Sequence, residues 1–408
     1  MLDDVTPAIT RRRLRSGVAA DHVEDFADWL RNRGHNRRMI FRILCSLARW
    51  TDWMKREANS SLGIEEGVKR CAAFVKTTRR KPYQRIPNVE SLRAAKNYVY
   101  FLRERKLLPS AAVTDNQPSI LMGFLVWMRT QRGVTDQTLS VYRRVLEKFL
   151  TSHGTDPGSY SAEALRTFVL KRGKRHGISY AKLGATAVRA FARFLTAMGQ
   201  CPAGLECAIP AWTSRNHSSM PKYLVATDVE RVVRASAVSK NPLRNKAIIL
   251  MLARLGLRAG DIVSLHLTHV DWENARILLC GKGRRQEYLP LSQEVGNALL
   301  RYIKRERPAT GTPEVFITTV APFRRLSRQA LRNVVWTAIS QAGVASPSCG
   351  AHVLRHSAAT TMLRQGVSLA GIGAVLRHRS PSTTTRYAKV DHGLLSEIAQ
   401  PWPEVSSC

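Results

Sequence analysis

Between Cys349 and Thr360 the chain runs CGAHVLRHSAAT, with His352, Arg355 and His356 three and four positions apart. On a helix that spacing puts the three side chains on one face. Two imidazoles and a guanidinium there form a cationic patch able to exchange protons, suited to a metal, a phosphate or plain solvation. Zinc fits least: His-Val-Leu-Arg-His lacks the glutamate of a metalloprotease box and sets a cation between the two ligands. Downstream, LRHRSPSTTTRYAKV (376–390) carries His378 and, nine residues later, Tyr387. Upstream, LGLRAGD (255–261) carries Arg258 and Asp261, and GKGRRQEYLP (281–290) carries Lys282. Alone, each has an ordinary explanation. Arg258 suits a helix C-terminus, Lys282 a solvated turn, Tyr387 a packed core, and the STTT run before it simple turn chemistry.

The elements that must position these residues are partly legible. KAIILMLARLGL (246–257) places Ile248, Met251, Leu252 and Leu255 on one helical face, with Gly256 marking its end. ARILLCGKGRRQEYLPL (275–291) predicts two short strands around a Gly-Lys-Gly turn, hence a hairpin with Lys282 at its tip. LSRQALRNVVWTAISQAG (326–343) predicts a capped amphipathic helix, and further helices follow around His352 and at SLAGIGAVLRHRS.

The 408 residues suffice for several cores. Residues 1–20 predict a basic, mobile arm; 21–110 and 118–203 predict two helical domains; 204–222 predicts an extended linker to a catalytic region at 223–390, with a tail at 391–408. The helical regions resemble one another. FADWLRNRGHNRRMIFRILCSLARWTDWM from Phe26 parallels FLVWMRTQRGVTDQTLSVYRRVLEKFL from Phe124, which an internal duplication of a four-helix unit explains.

Sixty-four Lys plus Arg against thirty Asp plus Glu leave a formal charge of +34. Such an excess repels itself in a compact chain and is expected where a polyanion neutralises it. Nucleic acid is the first candidate. A membrane is disfavoured, because the longest apolar stretch (247–257) contains Arg254 and falls well short of the roughly 20 residues of a spanning helix. The opening MLDDVTPAITRRRLRSG has no apolar signal core, and the seven scattered cysteines include no C-x-x-C pair. Both point to a cytoplasmic protein with reduced thiols.

Taken together and in order, the four chemistry-bearing groups resemble the tyrosine recombinases, the phage-integrase type of site-specific DNA recombinase. The resemblance covers about 217–400 and implies a multidomain fold: helical N-terminal and core-binding (SAM-like, four-helix) domains, plus a mixed α+β, mainly helical catalytic domain. It implies Arg258 and Arg355 as the catalytic arginines, Lys282 as the hairpin lysine, His352 and His378 as the two histidine positions, Tyr387 as nucleophile and Asp261 as support for Arg258. His356 is expected to be a structural neighbour. Three positions depart from the family pattern: Arg377 where glycine is common, Lys389 where histidine is common, and Asp261 where glutamate is commoner.

That resemblance also implies strand cutting and rejoining through a 3′-phosphotyrosine, with no cofactor, metal or ATP. Two arginine forks would stabilise charge on the phosphate, His352 would take the phenol's proton, and Lys282 would protonate the leaving 5′-oxygen. The implied partner is double-stranded DNA, gripped by a prokaryotic homotetramer on paired sites, alone or with sister recombinases; the tail's Leu394, Leu395 and Ile398 are expected to dock on a neighbouring protomer. The extra N-terminal domain and the AQPWP tail fit a mobile element. A relaxing topoisomerase and a catalytically silent accessory protein are the alternative functions.

Overall fold

The computed structural model describes residues 5–57, 63–77, 87–108, 119–212, 220–280, 286–378 and 380–390. Two compact units emerge: Leu102–Asn216 is one, and Met1–Phe101 joins His217–Cys408 in the other.

The N-terminal part begins with α1 (Ala8–Arg15), then α2 (Val23–Asn32), α3 (Arg37–Glu57), α4 (Ile64–Thr77) and α5 (Val89–Glu104). The expected mobile arm is thus helical over α1. Its Leu14 is fully buried, an apolar anchor that the surrounding arginines obscured. The second unit holds α6 (Ser119–Arg132), α7 (Asp136–His153), α8 (Ala162–His176) and α9 (Ile178–Ala197). Where an extended linker was expected, a 3-10 turn at Leu205–Ala208 leads to Ile209, buried against this helical core.

The two helical sets share an aromatic lattice. Phe26 meets Tyr98 and Phe101 at ring distances of 5.2 and 5.4 Å, and Trp29 meets Phe101 at 5.7 Å. In the second set Phe124 meets Phe191 and Phe194 at 5.4 and 5.7 Å, and Trp127 meets Phe194 at 5.8 Å. Each opening helix therefore contributes an aromatic-x-x-Trp pair to an aromatic pair spaced by three on the closing helix. Edge-to-face and tilted contacts of this kind stabilise beyond the area they bury.

The C-terminal part contains α10 (Ala226–Ser236), α11 (Pro242–Ala253), α12 (Ala259–Val263), β1 (Val270–Asp271), β2 (Arg276–Cys280), β3 (Gln286–Pro290), α13 (Gln293–Arg305), α14 (Arg328–Gln341), α15 (Ala351–Arg364), α16 (Leu369–Val375) and α17 (Pro381–Thr384), followed by a 3-10 turn over Thr385–Val390. Its sheet has the order β1-β2-β3, antiparallel, with Ile277 opposite Leu289 and Cys280 opposite Gln286. The expected hairpin is present, but its turn, with Lys282, lies outside the described residues.

Helix α11 is the spine of this core. Ile248, Ile249, Leu250, Met251 and Leu252 are all fully buried, so the helix is covered on every side rather than on the single face its periodicity indicated. It ends as expected near Gly256, which takes a left-handed backbone (φ 59°). Helix α14 is capped by Ser327, whose hydroxyl accepts from the Ala330 N–H at 3.1 Å. Among the described residues no helix is long and apolar enough to cross a membrane.

Candidate active site

The site is assembled around a tight backbone turn. Helix α16 stops at Leu376, and Arg377 enters the left-handed region at φ 53°. A residue with a Cβ pays for that conformation, which accounts for the usual glycine at this place. The turn aims two successive carbonyls at the two arginines. Leu376 O accepts from Arg355 Nη2 at 2.5 Å, and Arg377 O accepts from Arg258 Nη2 at 2.7 Å. Arg355 Nη1 donates to the carbonyl of Gly256, so its fork bridges the end of α11 to the end of α16. Main-chain carbonyls thereby hold Arg355 at both ends of its fork and Arg258 at one.

Asp261 was expected to support Arg258. In the structure it sits 4.0 Å from Arg258 but accepts a hydrogen bond from Arg377 Nη2 at 2.7 Å. Arg377 also approaches Glu287 of β3, at 3.7 Å. The departure from glycine and the shorter acid are thus one feature: a largely shielded ion pair occupies the space beside the turn and approaches β3 at Glu287.

Helix α15 supplies the next residues. Arg355 is buried, His356 is half-buried and His352 is exposed at the rim. The rings of His352 and His356 lie 6.4 Å apart, as one helical turn on a shared face requires. Tyr387, from the 3-10 turn after α17, is 1% exposed and packs with Ala359, Leu363, Ile372 and Leu376. Its hydroxyl lies 2.7 Å from Nδ1 of His356, so the expected bystander is the side chain that meets the phenol. The signal was present in the sequence, since His356 follows His352 by one turn. Nothing local said which of the two would face the tyrosine.

His378 stacks almost parallel to the Tyr387 ring, with centroids 6.4 Å apart. Its Nδ1 is 2.7 Å from the hydroxyl of Thr384, itself buried. When that hydroxyl donates, Nδ1 is the acceptor and Nε2 carries the proton, leaving an N–H donor for the site. The STTT run therefore includes a residue that orients His378.

Local electrostatics favour an incoming anion. Burial, reinforced by the Arg258 charge, lowers the Arg355 guanidinium to about 10, still protonated at neutral pH. Burial also brings His356 and His378 down to about 4; Arg386 is the next cause for His356, Arg355 for His378. His352 is lowered too, by desolvation of its ring and then by Arg355 and Arg258. Burial raises Tyr387 above the ordinary phenol value, while Arg355 and Arg386 pull the other way. The structure thus gathers Arg258, Asp261, His352, Arg355, His378 and Tyr387, adds His356, Thr384 and Arg377, and leaves Lys282 outside the described residues.

Comparison with known proteins bears on this constellation. Residues 222–393 match the phage integrase family. A Sinorhizobium fredii protein described as an integrase/recombinase, y4rA, is 33% identical over 399 residues, covering 95% of each chain. Tyrosine recombinase XerD of Mycobacterium tuberculosis is 31% identical over 301 residues, covering 68% of this chain and 95% of its own. The chain belongs to the tyrosine recombinase family. It is accordingly an enzyme of the site-specific DNA recombinase class. Two solved structures share the fold. A lambda integrase dimer bound to a COC′ core site matches with a TM-score of 0.54 at 16% identity, over 70% of this recombinase and 98% of that chain. XerH bound to a palindromic difH substrate, a post-cleavage complex, matches with 0.54 at 17% identity, over 88% and 94%. The multidomain, mainly helical architecture with a small catalytic sheet is that of the family.

Proposed function

We propose that this recombinase cuts and rejoins duplex DNA through a 3′-phosphotyrosine on Tyr387, and that it moves or resolves a mobile element. One observation carries the reading: Arg258 and Arg355 hang from the successive carbonyls of Arg377 and Leu376 within the cluster that holds Tyr387. Phosphoryl transfer needs little from a protein beyond positioning and charge stabilisation. Two rigid forks on a phosphodiester's non-bridging oxygens supply both, and His352 at the rim and Nε2–H of His378 add donors. Lys282, on the hairpin turn, protonates the leaving 5′-oxygen. The protein's own cations carry the charge work, so the reaction is proposed to run without metal or ATP. The covalent ester conserves the energy of the broken bond for the second DNA end.

The partner is double-stranded DNA, attracted by the +34 charge. The fold relatives support this, and one of them is a lambda integrase tetramer on a Holliday junction. By analogy this chain acts as a tetramer on two sites. The test is a plasmid bearing two copies of the element's flanking junction, incubated with the protein in EDTA and without ATP. Exchange of the flanking segments is the expected result. Relaxation of a site-free plasmid would replace the reading with a topoisomerase, and salt-sensitive binding without cleavage would replace it with an accessory protein.

A further inference from the structure

We infer that His356 takes the phenolic proton of Tyr387 during strand cleavage and is the base of that step. The inference rests on the reading of Tyr387 as nucleophile and adds a catalytic residue to it. A candidate base must lie within hydrogen-bond reach of the proton it removes. His356 Nδ1 meets this requirement at 2.7 Å from the Tyr387 hydroxyl. With its own proton on Nε2, the neutral imidazole accepts the phenol's O–H.

Position divides the labour between the two histidines. His352 is exposed, one turn earlier on α15, and after desolvation the charges that lower it are those of Arg355 and Arg258. It therefore stands with the arginines that face the phosphate. His356 is half-buried, and its ring lies 5.7 Å from the Tyr387 ring. The adjacent Arg355 is clamped at both ends to the carbonyls of Gly256 and Leu376, and this fixes the rotation of α15 that turns His356 toward the tyrosine. Burial first, and then Arg386, His352 and Arg355, keep His356 neutral at pH 7 and so able to accept.

In the step itself, Oη of Tyr387 forms a bond to phosphorus while the bond from phosphorus to the 5′-oxygen breaks. The phenol's proton passes to Nδ1 of His356, and the 5′-oxygen leaves with a proton from Lys282. Religation runs backwards: the hydroxyl of the incoming 5′ end attacks phosphorus and gives its proton to the deprotonated Lys282, while the bond from phosphorus to Oη breaks and His356 returns its proton to the departing phenolate. The imidazolium forms only as negative charge builds on the neighbouring phosphate, and that charge stabilises it.

The experiment measures single-turnover covalent adduct formation on nicked duplex flanking DNA, in two versions. One has a normal phosphodiester at the cleavage position; the other has a 5′-bridging sulfur, whose thiolate leaves without needing a proton. Substitution H356N keeps an acceptor near the place of Nδ1 but cannot take a proton. It is expected to slow adduct formation roughly 10²–10⁴-fold on both substrates, the usual range for loss of a general base, with unchanged DNA affinity by mobility shift. Lys282→Ala should be slow on the normal substrate and restored on the sulfur substrate. Restoration of H356N by sulfur would overturn the inference, as would a parental rate. A faster rate would do so too, by making His356 a restraint on the tyrosine. Tyr387→Phe is run in parallel: if it still forms adducts, the nucleophile reading fails, whereas a loss confined to Tyr387→Phe removes only the role of His356.

Discussion

Replacing Arg377 by glycine restores the residue common in the family and relaxes a left-handed backbone, yet it should destabilise this protein. At φ 53° Arg377 carries a conformational cost of roughly 1–2 kcal/mol that glycine would remove. Against that gain stands its ion pair with Asp261, at 2.7 Å with side chains only 7% and 12% exposed. Removing one member of a buried pair typically costs about 3–5 kcal/mol, because the remaining charge stays buried. Arg258, 4.0 Å away, partly compensates Asp261, and Nη1 of Arg377 is buried without a hydrogen-bond partner among the described residues, so the lower end applies. The net loss is about 2 kcal/mol. Calorimetry should show the transition of the catalytic helices falling by roughly 4–8 °C, as expected for a unit of this size. The double variant R377G/D261N leaves no stranded charge and should recover most of the loss. If R377G melts at or above the parent temperature, the ion pair does not explain the departure from glycine.

Three further outcomes follow from the same geometry. Gly256→Ala adds a Cβ about 2.5 Å from Leu376 Cδ2 at a φ of 59°. Strain and overpacking together should cost roughly 2–4 kcal/mol, and adduct formation should fall because both carbonyls holding Arg355 shift; unchanged unfolding and rate would contradict this. Arg355→Lys keeps the charge but cannot span Gly256 O, Leu376 O and a phosphate together, so single-turnover cleavage should drop on the order of 10²–10³-fold with DNA binding largely kept. The third concerns pH. His356 and His378 titrate at about 4 in the fold against an ordinary 6.5. The unfolded chain therefore takes up protons that the fold refuses, and this contribution to stability is full above pH 6.5 and lost as pH falls toward about 4. Unfolding measured from pH 7.5 to 4.5 should show that decline, shallower in H356N than in the parent; equal slopes would refute the assignment.

What the sequence made legible follows from which interactions are local. The hairpin strands, the capped helix α14 and the end of α11 at Gly256 depend on neighbours a few residues away, and patterns of two, three and four expose them. The aromatic-x-x-Trp openings marked the likeness of the two helical regions, but not the ring contacts that Tyr98, Phe101, Phe191 and Phe194 complete. Four further things were not legible. Burial of α11 on all sides is decided by elements distant in sequence. The α1 stretch looked like a free basic arm because its one buried leucine is surrounded by arginines. Asp261 was assigned to Arg258 by the resemblance, whereas Arg377, 116 positions later, takes its carboxylate. The same limit hid the contact between His356 and Tyr387, which joins α15 to the 3-10 turn after α17 through space.

The central claim is that Tyr387 attacks DNA, and mapping the covalent adduct tests it most directly. Parent protein would be trapped on nicked flanking duplex in EDTA, digested with protease, and the DNA-linked peptide sequenced by mass spectrometry. The account predicts a single 3′-phosphoryl adduct on the peptide containing Thr385 to Lys389, attached at Tyr387 and absent from Tyr387→Phe. An adduct on any other residue, or one that forms equally in Tyr387→Phe, would contradict it.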